Sequence, residues 1–251
     1  KTTERRVWDL ALLFLEGRQW VEYDNLAQNQ VAGPRGHSTF KITVNLLINI
    51  YRNLLSKLST EYPSIAITPA TALTDDILKA QATELALKYY WNKQNLKGKL
   101  TKAFSWLLTT GTAALHSYYD SESDQVATEV VSPYDLVFEP FVDSPEESDW
   151  IAIRRHVKRW ELIKQFPKSK KLILEASDSL TPSSRPGQAS QEQLPANRLE
   201  IYEIYWRDGK HAFVLGSDYL YKGTNPLVEI PIRVFRYTEV PGKLWGVGLL
   251  A

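Results

Sequence analysis

Lys99–Asp120, KLTKAFSWLLTTGTAALHSYYD, holds the change of period on which the fold turns. Lys99–Thr109 follows a helical pattern, and at Gly111 the period changes, so that Ala113–Tyr119 reads as a strand. Working upstream, the chain is helical. Val7, Leu10, Leu13 and Phe14 fall on one helix face that ends at Gly17, a C′ residue. From Val44 the apolar positions Leu47, Ile48, Tyr51, Leu54, Leu55 and Leu58 repeat at three- and four-residue steps and stop before Pro63. Thr74 reads as an N-cap, Asp75 and Asp76 suit the positive helix end, and the helix is expected to run to about Asn95 before Gly98 breaks it. Gln28–Ser38, with Gly33, Pro34 and Gly36, reads as a loop.

Downstream the pattern is β. Ala113–Tyr119 and Val126–Val131 flank the acidic turn Asp120–Asp124 as a hairpin, and Trp150–Val157 alternates as a strand. Trp160–Phe166 reads as a short helix closed by Pro167, with Lys168–Lys171 a flexible loop by composition. Leu199–Trp206, Ala212–Leu215, Tyr219–Lys222 and Ile232–Tyr237 are strands separated by Gly- and Asp-rich turns. Between them Ser177–Arg198, rich in Pro, Ser and Gln and poor in large apolar residues, is expected to be a mobile insertion. The fold class is therefore α+β. A helical part over 1–112 precedes a mostly antiparallel β-rich part over 113–251, with a flexible loop at 177–198.

Composition bounds the function. A chain of 251 residues has room for one large domain or two small ones. No apolar run is long enough for a transmembrane helix, and no signal peptide opens the chain. It starts at Lys1 and has no Met, which is read as a processed or truncated chain. The absence of Cys excludes disulfides, thiolate zinc sites and Cys nucleophiles. Thirty basic residues against 29 acidic ones leave a net charge of +1, which gives no case for tight phosphate-led nucleic-acid binding. Eight Trp supply core and interface anchors alike.

The sequence lacks the common motifs that carry chemistry. Gly98-Lys99, Gly209-Lys210 and Gly242-Lys243 lack the glycine five positions earlier that a phosphate-cradling loop requires. There is no Gly-x-Ser-x-Gly elbow, and His37, His116, His156 and His211 lack the i, i+4 spacing of a helical zinc pair. Asp120, Glu122 and Asp124 read as a solvated turn, and Glu146, Glu147 and Asp149 as the start of a helical turn. Arg154, Arg155, His156, Lys158 and Arg159 form a basic run that would suit weak DNA or phosphate contact. Strand alternation puts Arg154 and His156 on one face and Arg155 on the other, so solvated strand-edge charge is the favoured reading. No catalytic residue, cofactor or metal is expected.

Five segments, taken in order, resemble the portal proteins of tailed bacteriophages, especially the short-tailed podovirus and cyanophage type. They are the corner Phe14-Leu15-Glu16-Gly17-Arg18-Gln19-Trp20; Val44-Asn45 opening a helix with Tyr51-Arg52-Asn53 that leads to Pro63-Ser64-Ile65; Phe104 through Gly111-Thr112 to Tyr118-Tyr119-Asp120; Val131-Ser132-Pro133-Tyr134-Asp135-Leu136-Val137-Phe138-Glu139-Pro140; and Pro241-Gly242-Lys243-Leu244-Trp245-Gly246-Val247-Gly248. The fourth departs from the family's pattern at Glu139, where Asp is usual.

The resemblance implies the N-terminal wing region of a ring-forming, non-enzymatic subunit, with stem, clip and crown not present. The ring would be a homododecamer at one capsid vertex, conducting double-stranded DNA during packaging and ejection. Its implied partners are terminase, capsid and tail adaptor proteins, with no membrane, and its place is the virion, or the host cytoplasm during assembly. Trp8, Trp20, Trp91 and Trp245 are the expected interface or core anchors, and Arg154, Arg155, Lys158 and Arg159 the weak DNA contacts. This chain alone is expected to be a monomer or weak oligomer. The alternatives are another phage capsid or tail structural protein, and a metal-dependent DNA-processing enzyme using the acidic clusters.

Overall fold

A computed structural model describes residues 2–18, 21–24, 29–32, 43–60, 65–120, 124–177, 197–225 and 229–249. Helix α1 (Thr2–Leu15) leads to a two-stranded antiparallel hairpin, β1 (Val21–Asp24) and β2 (Asn29–Ala32). The expected loop over Gln28–Ser38 is thus replaced at Asn29–Ala32 by strand pairing. Three helices follow: α2 (Leu46–Thr60), α3 (Thr74–Lys93) and α4 (Leu96–Thr110).

The start of α2 is set by Asn45, whose side chain accepts from the Ile48 amide and donates to the Leu15 carbonyl at the end of α1. The expected N-cap Thr74 is instead the first residue of α3, with Leu73 at the cap. The break after α3 falls at Asn95, in the left-handed conformation, and not at Gly98. Gly98 lies in the first turn of α4, where its amide donates to the Asn95 side chain.

Gly111 ends α4 as expected. Its φ of 79° is in the left-handed region, and its amide bonds back to the Leu107 carbonyl. A Cβ there would strike the backbone of Gly246 and Gly248, so close approach as well as φ requires glycine. The chain then enters β3 (Thr112–Asp120), which pairs with β4 (Gln125–Val131) across the acidic turn and with β10 (Ile232–Arg236) on its other side. Gln94, between α3 and α4, closes the free edge of β4. Its amide donates to the Val126 carbonyl and accepts from the Thr128 amide at 2.9 Å, as a neighbouring strand would.

The second sheet is five-stranded and antiparallel, in the order β5 (Leu136–Phe138), β6 (Trp150–Lys158), β7 (Arg198–Trp206), β8 (Lys210–Leu215), β9 (Asp218–Thr224). Strand β5 is too short to carry a periodic signal and was not expected. Helices α5 (Arg159–Gln165) and α6 (Lys170–Glu175), joined by a 3₁₀ turn at Pro167–Ser169, lie between β6 and β7. The expected loop at Lys168–Lys171 is therefore helical. Its lysines face solvent while Ile173 three residues on is buried, an apolar anchor that composition alone hides.

Two apolar clusters form the core. The first joins Trp8 of α1 to Ala114 and Ile232 of the three-stranded sheet and to Leu136, Phe138, Ile151, Ile153 and Tyr205 of the five-stranded one, with Leu12 and Trp106 packed against it. The helical and β-rich parts therefore share one core. The second packs Leu162 of α5 and Ile173 of α6 on Leu199, Ile201 and Leu215. No helix among the described residues is long and apolar enough to cross a membrane. The bulk of the 177–198 insertion lies outside the described residues.

Candidate functional site

Strand alternation sends Leu199, Ile201, Glu203 and Tyr205 of β7 to one buried face. Glu203 stands between apolar residues of the two clusters, a position where a lone carboxylate would be strongly unfavourable. Its neighbours compensate. Arg155 of β6 donates from Nε to Glu203 Oε2 at 2.6 Å, and Tyr205 Oη donates to Oε1 at 2.6 Å. His211 Nε2 lies 3.3 Å from Oε1.

The same Arg155 reaches across to the three-stranded sheet. Its Nη2 donates to Glu129 Oε1 and its Nη1 to Glu129 Oε2 at 3.3 Å. His116 of β3 closes the circuit, with Nδ1 2.9 Å from Glu129 Oε1 and Nε2 3.0 Å from Tyr205 Oη. Tyr205 has one proton and gives it to Glu203, so it receives from His116 Nε2. The His116 Nδ1 also lies 3.3 Å from Arg155 Nη2.

Electrostatics follow from this geometry. Burial pushes Glu203 up, but the His211 hydrogen bond, the Arg155 charge and the Tyr205 hydroxyl outweigh it and hold its pKa down at about 2. Burial likewise pushes Glu129 up, and hydrogen bonds from His116 and Arg155 bring it to about 2. For Arg155, burial acts downward and is overcome by Glu203 and Glu129, so the guanidinium is held charged more firmly than usual. Burial raises the Tyr205 phenol, with Glu203 adding to it. The acid–base groups saturate one another, and the guanidinium occupies the place between the carboxylates that a bound cation would need. The arrangement is suited to holding two sheets in one register.

The basic run is distributed by this architecture. Arg154 and Arg155 do point to opposite faces of β6, but neither is solvated strand-edge charge. Arg154 is buried, with Nη2 3.1 Å from Asp135 Oδ1, while Arg155 joins the network. Arg159 donates to the carbonyls of Ile173, Leu174 and Ala176 at the end of α6. Lys158 lies 5.9 Å from the Trp160 ring centre. The run is interior to β6 because β7 pairs with it along its whole length, so three of its guanidiniums serve the fold and do not form one phosphate-facing patch. Alternation was legible in the sequence. The network was not, although an acidic residue in phase with Leu199, Ile201 and Tyr205 was its one visible signal.

Trp8 and Trp245 are core residues, with rings 5.1 Å apart edge to face and Trp8 also 5.2 Å from Tyr134. Trp91 of α3 is half-buried beside Ile65 and Lys88, and Trp20 lies outside the described residues. Asp124 closes the acidic turn, accepts from Tyr119 Oη, and has a φ of 53°. Among the described residues no group of three or more His, Cys, Asp or Glu is placed to hold a metal. A cleft of about 440 Å³ lies beside β10, lined by Ile151, Ile230 and Val234 with Arg207, Arg233, Glu146 and Glu229 at its rim. Its two arginines are matched by two carboxylates, which leaves it without a charge preference. No known family model matches the chain, and no curated protein matches it either.

Proposed function

We propose that this chain is a structural subunit of a tailed-phage portal ring, in its wing region. One observation carries the reading. The five segments on which the resemblance rests, distant in sequence, are joined to one another in space. The Asn45 side chain of the second segment donates to the Leu15 carbonyl of the first at 2.8 Å. Tyr51 of the second shares a 2.6 Å hydrogen bond with Ser105 of the third. Gly111 of the third sits against Gly246 of the last, and the Leu249 amide, just beyond it, donates to the Leu108 carbonyl. Phe138 of the fourth packs on Trp245 of the last at 5.2 Å between ring centres. Tyr134 of the fourth closes on Trp8, in the helix that ends in the first.

In a chain whose helical and β-rich parts share one core, such a junction is what the parts of one wing region would form. Motif absence points in the same direction, since a conduit that leaves ATP hydrolysis to a separate motor needs no phosphate loop. The internal partners of Arg154, Arg155 and Arg159 fit a wing region that packs against its neighbours more than it grips phosphate. The metal-dependent enzyme alternative would use Asp120, Glu122 and Asp124, of which Glu122 lies outside the described residues.

The deciding experiment is electron microscopy of the protein as it occurs in virus particles. A twelve-fold ring with an axial channel at one vertex is the expected result, and any other assembly overturns the reading. Light scattering of residues 1–251 alone is expected to show a monomer or weak oligomer, and a stable ring from that chain would count against it.

A further inference from the structure

Helix α3 carries two apolar stripes, and among the described residues only one of them has a partner. Ala80 and Trp91 turn inward, and Glu84 on the same side reaches the Ile67 amide. On the opposite side Leu78, Ala82, Leu85 and Tyr89 recur at steps of four, three and four and so share one face. They stand in solvent: Leu78 is 58% exposed, Leu85 68% and Tyr89 58%. A surface helix ordinarily shows one apolar stripe, so a second one of this length marks an interface.

The stripe's own symmetry identifies its occupant. Steps of four, three and four read the same in both directions. A second α3 laid antiparallel therefore places Leu78 opposite Tyr89 and Ala82 opposite Leu85, a small residue against a large one at the centre. Charge selects the same direction. Asp75 and Asp76 lie at the N-terminal end, and Lys93 at the C-terminal end. Antiparallel pairing sets Asp75 near Lys93 of the other copy on the same flank, whereas parallel pairing sets Asp75 against Asp75 and Lys93 against Lys93.

The geometry points to a two-fold, antiparallel α3–α3 contact between two copies of this chain. The strip from Asp75 to Lys93 is ~27 Å long, and a contact ~15 Å wide buries ~400 Å² per copy, ~800 Å² in total, which is below the range of stable interfaces and in that of weak, transient ones. The dimer is accordingly weak and transient. A two-fold contact closes on itself after two copies, whereas neighbours in a cyclic ring meet through unlike surfaces. The contact therefore belongs to the free chain and does not rest on the ring reading. A variant can lose it and still form rings.

Sedimentation velocity over a concentration series tests it, with circular dichroism to verify that each variant is folded. Leu85→Glu, at an exposed position, is expected to weaken dimerisation at least tenfold. Asp75→Lys and Lys93→Asp should each weaken it, and the double exchange should restore it to within about twofold of the parent. Because the chain has no cysteine, orientation can be read directly by oxidation. A mixture of the Leu78→Cys and Tyr89→Cys variants should cross-link, while Leu78→Cys alone should not, its two thiols lying ~16 Å apart. A parent chain that stays monomeric at millimolar concentration overturns the proposal. So does a dimer indifferent to Leu85→Glu, a double exchange that fails to restore pairing, or cross-linking of Leu78→Cys alone that equals the mixture.

Discussion

Replacing Arg155 by Met keeps most of the apolar stem and removes the one charge that two carboxylates share. Glu203 decides the size of the effect. It is 7% exposed, and its pKa lies at about 2 against an ordinary 4.5, a difference worth about 3 kcal/mol of folding stability at neutral pH that Arg155 shares with His211, His116 and Tyr205. Glu129 adds less, because at 33% exposure water can replace part of what Arg155 supplies. The expected loss is about 3–4 kcal/mol at pH 7, within the range for breaking a buried pair by removing one partner.

The pH dependence has a definite sign. In the parent, both carboxylates have folded-state values below their unfolded ones, so their contribution is complete above about pH 4.5 and fades as pH falls toward 2. In Arg155→Met, burial dominates at Glu203 and raises its folded-state value, so the variant sheds its penalty as the carboxylate is protonated. The difference between the two proteins should therefore shrink steadily below about pH 5. Urea denaturation at pH 7 and pH 3 measures it, and the melting temperature at pH 7 should fall by about 10 °C. Adding Glu203→Gln to Arg155→Met should recover at least about 1 kcal/mol, because a buried amide costs less than a buried carboxylate. A cost under about 1 kcal/mol at pH 7, or one equal at both pH values, would refute the account of the network.

Two further substitutions probe the junctions. Gly111→Ala should cost more than about 3 kcal/mol in the same denaturation assay, because it adds a collision with the Gly246 carbonyl to a φ of 79°. Gly216→Ala, with a φ of 61° and open space around it, should cost only about 1 kcal/mol and serves as the control. Gln94→Ala should leave the fold intact at a cost of about 1 kcal/mol while exposing the edge of β4. Hydrogen exchange at the Thr128 amide should then accelerate several-fold, with the amides of β3 unchanged.

The features legible in the sequence were local. The switch of period at Gly111, the hairpin around the acidic turn, the antiparallel strands after Leu199 and the opposed faces of Arg154 and Arg155 all follow from patterns a few residues long. Steric and hydrogen-bonding rules act at that range. Where sequence reading went astray, a distant partner outweighed the local signal. Lys168–Lys171 is helical because Ile173 is buried against β7 and β8, and the α3–α4 break falls at Asn95, whose side chain caps the next helix better than Gly98 stops the last. Only the tertiary structure decided the fate of the charges. Glu203, Glu129 and His116 stand up to 87 residues apart along the chain, and no periodicity relates them. Two sheets must first pack before Arg155 can bridge them, and that packing turned an expected solvated basic run into the internal fastening of the fold.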